Sequence, residues 1–199
     1  MVGAVYDDAQ AACDELVARR GALRVHPYDD PAVVAGQGTV ARELEEEAGP
    51  LDTVLVAVGG GGLAAGVATW LAGSGTRMVT VESTGCRCLQ AAVEAGGPTP
   101  VEVSGLAADS LGARQLGAVP WAQLAGRVAE ALTVEDDAIV AAQRALWREC
   151  RLAAEPGGAT ALAALLSGAY RPAPDERIGV IVCGGNVDPA LVAEGPDGP

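Results

Sequence analysis

The sequence predicts a three-layer α/β domain on a mostly parallel sheet, and three observations carry that prediction. Two short, continuous apolar runs, "TVLVAV" (residues 53–58) and "RIGVIV" (residues 177–182), have the form of strands buried on both faces. Residues 53–58, 63–71 and 77–82 then read as strand, helix, strand, a βαβ unit closed by glycine-rich or charged turns. The chain has 199 residues and is 50% apolar, enough to bury a sizeable core.

Taken in order, "MVGAVY" (residues 1–6) reads as a short strand that starts with no preceding loop or cap, as if cut. "DDAQAACDELVARRG" (residues 7–21) has acids in front, arginines behind and Gly21 as a stop, a helix matched to its dipole. "LRVH" (residues 23–26) predicts a short strand. "PYDDP" (residues 27–31) predicts a turn with Asp30 as N-cap and Pro31 in the first helical position. The helix that follows, to Ala48, carries "GQGT" (residues 36–39), and its two glycines predict a break. Residues 86–95 read as helix, "GGPTP" as a turn and residues 104–117 as an irregular segment of small residues. Residues 127–132 predict a strand, after which Thr133 and Asp136 form a capping-box pattern ahead of a long helix to Ala153. "EPGGA" (residues 155–159) breaks that helix, a small-residue helix runs to Gly168, and the last strand ends in "CGGN" (residues 183–186). The tail "AEGPDGP" is expected to be disordered.

Composition narrows the function. The net charge is −13, from thirteen arginines, twenty-six acids and no lysine. Such a chain repels phosphate backbones and anionic lipid, so neither nucleic acid nor membranes are expected partners. A coding bias toward arginine could explain lysine's absence from surface positions, but it cannot replace a lysine that chemistry requires. The five cysteines, Cys13, Cys86, Cys88, Cys150 and Cys183, are odd in number and scattered, which predicts reduced thiols and a cytoplasmic setting.

The chemical signal is "VAVGGGGL". A strand emptying through Gly59, Gly60, Gly61 and Gly62 into a helix aims free backbone N–H groups and a helix dipole at one spot, which suits a phosphate. A dinucleotide site competes with this reading. Gly60, Gly62 and Ala65 satisfy G-x-G-x-x-A, and Glu82 ends the next strand about 20 residues on, where a ribose-binding acid belongs. No hydride-transfer set accompanies that fingerprint. His26 is expected to be a structural histidine, since no nucleophile or metal cluster partners it. "CRC" (residues 86–88) is too closely spaced for a zinc knuckle and predicts two small buried hydrophobes. The acids of "ELEEEA" (residues 43–48) read as a solvated helix face.

The motifs "GQGT", "VAVGGGGL", "VES", "EPGGA" and "CGGN", in this order and spacing, resemble the pyridoxal-phosphate enzymes of the tryptophan-synthase β type, fold type II. The match is closest to their serine/threonine dehydratase group. The resemblance implies that Gly59, Gly60, Gly61, Gly62 and the Leu63 amide bind the cofactor phosphate. It places Cys183 against the pyridine nitrogen and Glu155 close to the cofactor ring. It also implies a structural cation held by Glu82 and the Cys86 carbonyl, monovalent because Cys88 stands where relatives with a divalent ion carry an aspartate. The implied reaction is elimination of hydroxide from a hydroxy-amino acid, giving an oxo acid and ammonia. The family's Schiff-base lysine, in a Ser-x-Lys motif, falls ahead of "GAVY", so no catalytic residue is expected here and the chain alone is expected to be inactive. Residues 1–22 would then be a remnant of the small domain, largely missing; residues 23–190 the large cofactor-binding domain; and residues 191–199 a disordered tail. A homo-oligomer, or a separate N-terminal half, is the expected protein partner. A dinucleotide-binding domain and a non-catalytic partner subunit are the alternatives.

Overall fold

A computed structural model describes residues 6–193. The chain runs through α1 (Tyr6–Arg20), α2 (Pro31–Ala48), β1 (Thr53–Ala57), α3 (Gly62–Trp70), β2 (Arg77–Ser83), α4 (Cys88–Ala95), α5 (Ala108–Leu111) and α6 (Ala118–Leu124). It continues through β3 (Glu130–Val134), α7 (Asp136–Ala145), a π-helical turn (Leu146–Cys150), α8 (Pro156–Leu166), β4 (Ile178–Val180) and α9 (Pro189–Ala193). Among the described residues, no helix is long and apolar enough to cross a membrane.

The strands pair in the order β3-β2-β1-β4, and each pairing is parallel. All carboxyl ends therefore share one edge of the sheet. The chain steps outward from β1 to β2 and β3, then returns across the sheet to β4. The order reverses between β1 and β4, where α/β sheets of this kind place their ligands.

Alternation along β1 divides the core. Val54 and Val56, with Val58 just beyond, face a layer formed by α2, α3, α4 and α6, while Leu55 and Ala57 face α5, α7 and α8. Burying a side chain such as Leu55, which has no exposed surface, contributes about 2–3 kcal/mol. The predicted three-layer α/β architecture is the observed one.

The expected stop of the first helix and the expected cap of the second both form. Helix α1 ends at Gly21, whose φ is 62°, and the Asp30 carboxylate accepts hydrogen bonds from the Ala32 and Val33 amides at 2.7 and 3.3 Å with Pro31 at N1. The predicted break in α2 is absent. Gly38 instead lets α2 cross α3, since a Cβ on Gly66 would stand 2.5 Å from the Gly38 nitrogen and one on Gly38 3.1 Å from the Gly66 oxygen. "LRVH" forms no strand, and Leu23 and Val25 are 88% and 63% exposed. Strand β3 starts three residues later than predicted and absorbs Thr133, so Glu135, not Thr133, stands at the start of α7. The long helix predicted to Ala153 passes into the π-helical turn and stops at Arg151, whose φ is 58°. Helices α5, α6 and α9 were not predicted. Residues 1–5 of the first predicted strand and residues 194–199 of the tail lie outside the described residues.

Candidate functional site

The glycine turn joins β1 to α3 at the point where the strand order reverses. Gly61 is the N-cap of α3 with φ 92°, a conformation that favours glycine. Among the described residues, the amides of Gly59 to Leu63 donate no hydrogen bond. They are open donors at the positive end of a helix, as anion binding requires.

Each of the four glycines also faces the protein's own atoms. A Cβ on Gly59 would stand 3.1 Å from the Leu111 Cα, and one on Gly61 would stand 2.6 Å from Leu116 Cδ1 and 2.9 Å from Pro120 Cβ. One on Gly60 would overlap the Tyr28 ring, and one on Gly62 would meet the Tyr28 Cα at 2.9 Å. The space beyond each Cα is filled by the protein's own walls. A ligand can meet this turn only along its amide edge.

Those walls are tied down. The Gly117 amide donates to the Gly60 carbonyl at 3.1 Å, and the Val119 amide donates to Asp29 Oδ1 at 2.7 Å. His26 Nδ1 accepts from the Asp29 and Tyr28 amides at 2.8 and 3.3 Å, and its ring meets Tyr28 edge-on at 4.7 Å. His26 is thus the structural histidine expected, with its acceptor nitrogen engaged by the turn it organises.

The second group lies at the carboxyl end of β4. The Glu155 amide donates to the Gly184 carbonyl at 3.1 Å, and the Glu155 carboxylate lies against the Gly184 Cα. Cys183 Sγ stands 3.8 Å from the Gly157 carbonyl, and Ser110 Oγ accepts from the Gly157 amide at 2.9 Å. Ser110 and Leu111 therefore bridge the two groups, Leu111 on Gly59 and Ser110 on Gly157. Desolvation, reinforced by the Glu155 charge, pushes the Cys183 thiol up, so it is neutral at pH 7.

Glu82 is 1% exposed, and its two carboxylate oxygens accept from the Leu89 and Gln90 amides, each at 2.8 Å. It caps α4 from outside that helix. Burial pushes its carboxyl up to about 7 despite those bonds. A carboxylate turned inward in this way is not aimed at a ribose, which removes the acidic residue from the dinucleotide fingerprint. Cys88 Sγ donates to the Gly59 carbonyl at 3.0 Å, and burial, with Glu82 and Cys86 nearby, pushes its thiol up to about 12. Cys86 Sγ donates to the Ser104 carbonyl at 3.5 Å, and burial raises its thiol as well. Both are held as thiols, and no group of three or more His, Cys, Asp or Glu able to hold a metal ion occurs among the described residues.

Sequence reasoning did not single out Tyr28, Ser110, Leu111, Leu116 or Pro120. Tyr28 had a signal, since aromatic residues make up 3% of a chain without phenylalanine and this one lies in a turn. The others come from segments whose packing depends on long-range contacts.

The family described as pyridoxal-phosphate dependent enzyme matches residues 1–184. The biosynthetic L-threonine dehydratase of Salmonella typhimurium is 39% identical over 189 residues, covering 94% of this chain and 37% of that protein. Phenylserine dehydratase of Ralstonia pickettii is 35% identical over 192 residues, covering 94% of this chain and 59% of that protein. Among solved structures, a threonine deaminase from T.th. superposes with a TM-score of 0.82 at 35% identity, covering 89% of this chain and 65% of that one. Maize serine racemase superposes with a TM-score of 0.86 at 32% identity, covering 94% and 59%. The chain spans little more than a third of the length of the first of these relatives.

Proposed function

The chain belongs to the pyridoxal-phosphate dependent enzyme family, and from that premise we propose that it forms the phosphate- and ring-binding part of a serine/threonine ammonia-lyase. The observation that carries this reading is the set of open amides from Gly59 to Leu63 beside Glu155 and Cys183, at one end of the sheet. The residues present fit the cofactor's phosphate, because the amide edge is open while the Cα side is closed. They do not fit its covalent anchor, because the 199 residues contain no lysine.

When bound, the cofactor supplies an electron sink for loss of the α-proton and the β-hydroxyl group. The amides of Gly59, Gly60, Gly61, Gly62 and Leu63 would bind the phosphate. Cys183, a neutral thiol, would face the pyridine nitrogen without holding a proton on it, and Glu155 would lie beside the ring. The lysine, and the base it provides, would come from polypeptide outside these residues, whether a further segment or a second chain. Relatives named as threonine dehydratase and phenylserine dehydratase support a hydroxy-amino acid as substrate. Five free thiols support a reducing, cytoplasmic setting.

The expected experiment is an assay of oxo-acid release from serine and threonine with added pyridoxal phosphate. The chain alone gives none, and adding a lysine-bearing polypeptide that covers the rest of the relatives' length restores it. Turnover by the chain alone overturns the reading.

The proposed cation at Glu82 and the Cys86 carbonyl has its own test. It would favour the ionised carboxylate, so potassium chloride should raise stability at pH 8 above that in tetramethylammonium chloride at the same ionic strength. Equal stability in the two salts removes the cation.

A further inference from the structure

Gly60 and Gly62 stand where a dinucleotide fingerprint places its first two glycines, the second of which lets a pyrophosphate approach the backbone. In this chain the protein itself takes that approach. The Tyr28 ring lies across Gly60, and the Tyr28 backbone covers Gly62, with its Cα 2.9 Å and its carbonyl oxygen 3.2 Å from where a Cβ would stand.

The ring is held in place from behind. His26 packs edge-on against it at 4.7 Å, and the amides of Tyr28 and Asp29 both donate to His26 Nδ1. The Asp29 carboxylate in turn accepts from the Val119 amide at 2.7 Å, which ties this turn to α6. Moving the ring away from Gly60 would disturb that whole turn.

Resting on the phosphate reading above, we propose that Tyr28 is a specificity-determining residue. Its ring confines the Gly59–Gly62 turn to a single terminal phosphate and denies a bridging pyrophosphate the space over Gly60. The chain therefore takes phosphomonoesters such as pyridoxal phosphate and rejects dinucleotides, although its glycine spacing satisfies their fingerprint.

The test is a phosphorus NMR titration of the 199-residue chain with pyridoxal phosphate, inorganic phosphate and inorganic pyrophosphate, using wild type, Tyr28→Phe and Tyr28→Ala. Wild type and Tyr28→Phe are expected to bind the two monophosphates at least about tenfold more tightly than pyrophosphate, and Tyr28→Ala to lose about tenfold of that preference. Because pyrophosphate carries more charge, simple electrostatic attraction would give the opposite order. If Tyr28→Ala does not fold, the wild-type preference decides alone. Wild type that binds pyrophosphate as tightly as phosphate overturns the role of Tyr28 and leaves the phosphate reading standing. A folded Tyr28→Ala with the wild-type preference does the same. Wild type that binds none of the three overturns both.

Discussion

Glu82 shows how one buried side chain can couple the site to pH. Its carboxyl is raised from 4.5 to about 7 in the folded chain, so the folded state holds this proton more tightly than the unfolded state does. The stability it confers is complete below pH 4.5 and is lost as pH rises through 7, a loss of about 2–4 kcal/mol. Urea melts across this range should show that fall in wild type and a flatter profile in Glu82→Gln, which keeps one acceptor for the α4 amides and cannot ionise. Equal slopes would show that Glu82 ionises freely. Glu82 was legible in the sequence as a chemically important acid, but its partners were not. The Leu89 and Gln90 amides meet it only once β2 and α4 are folded together, and no spacing rule encodes that contact. Gly59 to Gly62 were legible in the same partial way: the turn and its open amides followed from strand, glycines and helix, whereas Tyr28, Leu111, Leu116 and Pro120 came from distant segments.

Among the elements, α2 and α3 carry the sharpest contrast. Gly36 and Gly38 look alike in sequence, yet a Cβ on Gly36 meets nothing within 4 Å. Gly36→Ala should stabilise the chain by about 0.5–1 kcal/mol by removing backbone entropy from the unfolded state. Gly66→Ala forces α3 off α2, because its Cβ would stand 2.5 Å from the Gly38 nitrogen, and should cost about 1–3 kcal/mol. Opposite shifts in the thermal midpoint would confirm that one glycine is helical slack and the other a crossing point. Sequence alone assigned both glycines of α2 to a break, since helix propensity sees the entropic cost and not the neighbour that requires it. The same limit explains "LRVH", whose β-branched and apolar residues pair with no described strand.

Across the whole molecule, the amino-terminal edge of the sheet is closed by a clasp opposite the candidate site. Glu176 Oε1 accepts from Thr53 Oγ1 and the Tyr170 hydroxyl, each at 2.5 Å. Arg77 reaches the Tyr170 hydroxyl at 3.4 Å and Glu130 Oε1 at 2.7 Å. The start of β1 and the loop before β4 thus meet at Glu176, and Arg77, 3.8 Å from the same carboxylate, links the start of β2 to it and to Glu130 at the start of β3. The two hydroxyl donors hold Glu176 below its ordinary range, so its contribution is present above the unfolded carboxyl range and is lost as pH falls through the folded value. Glu176→Gln should cost about 1–3 kcal/mol at pH 7 and weaken the acid limb of the stability profile, as read by chemical denaturation. Three layers and the positions of β1, β2 and β4 were legible at this scale because buried parallel strands write continuous apolar runs. The clasp was not legible, because its members lie as far apart in sequence as Thr53 and Glu176.

On the proposed reading, this chain binds pyridoxal phosphate by its phosphate and ring without a covalent anchor. Equilibrium dialysis with the cofactor, before and after borohydride treatment, tests it directly. The expected result is saturable retention that inorganic phosphate competes away and that stays fully reversible after borohydride. No retention, or a stoichiometric amount of cofactor fixed to the chain by reduction, would contradict it.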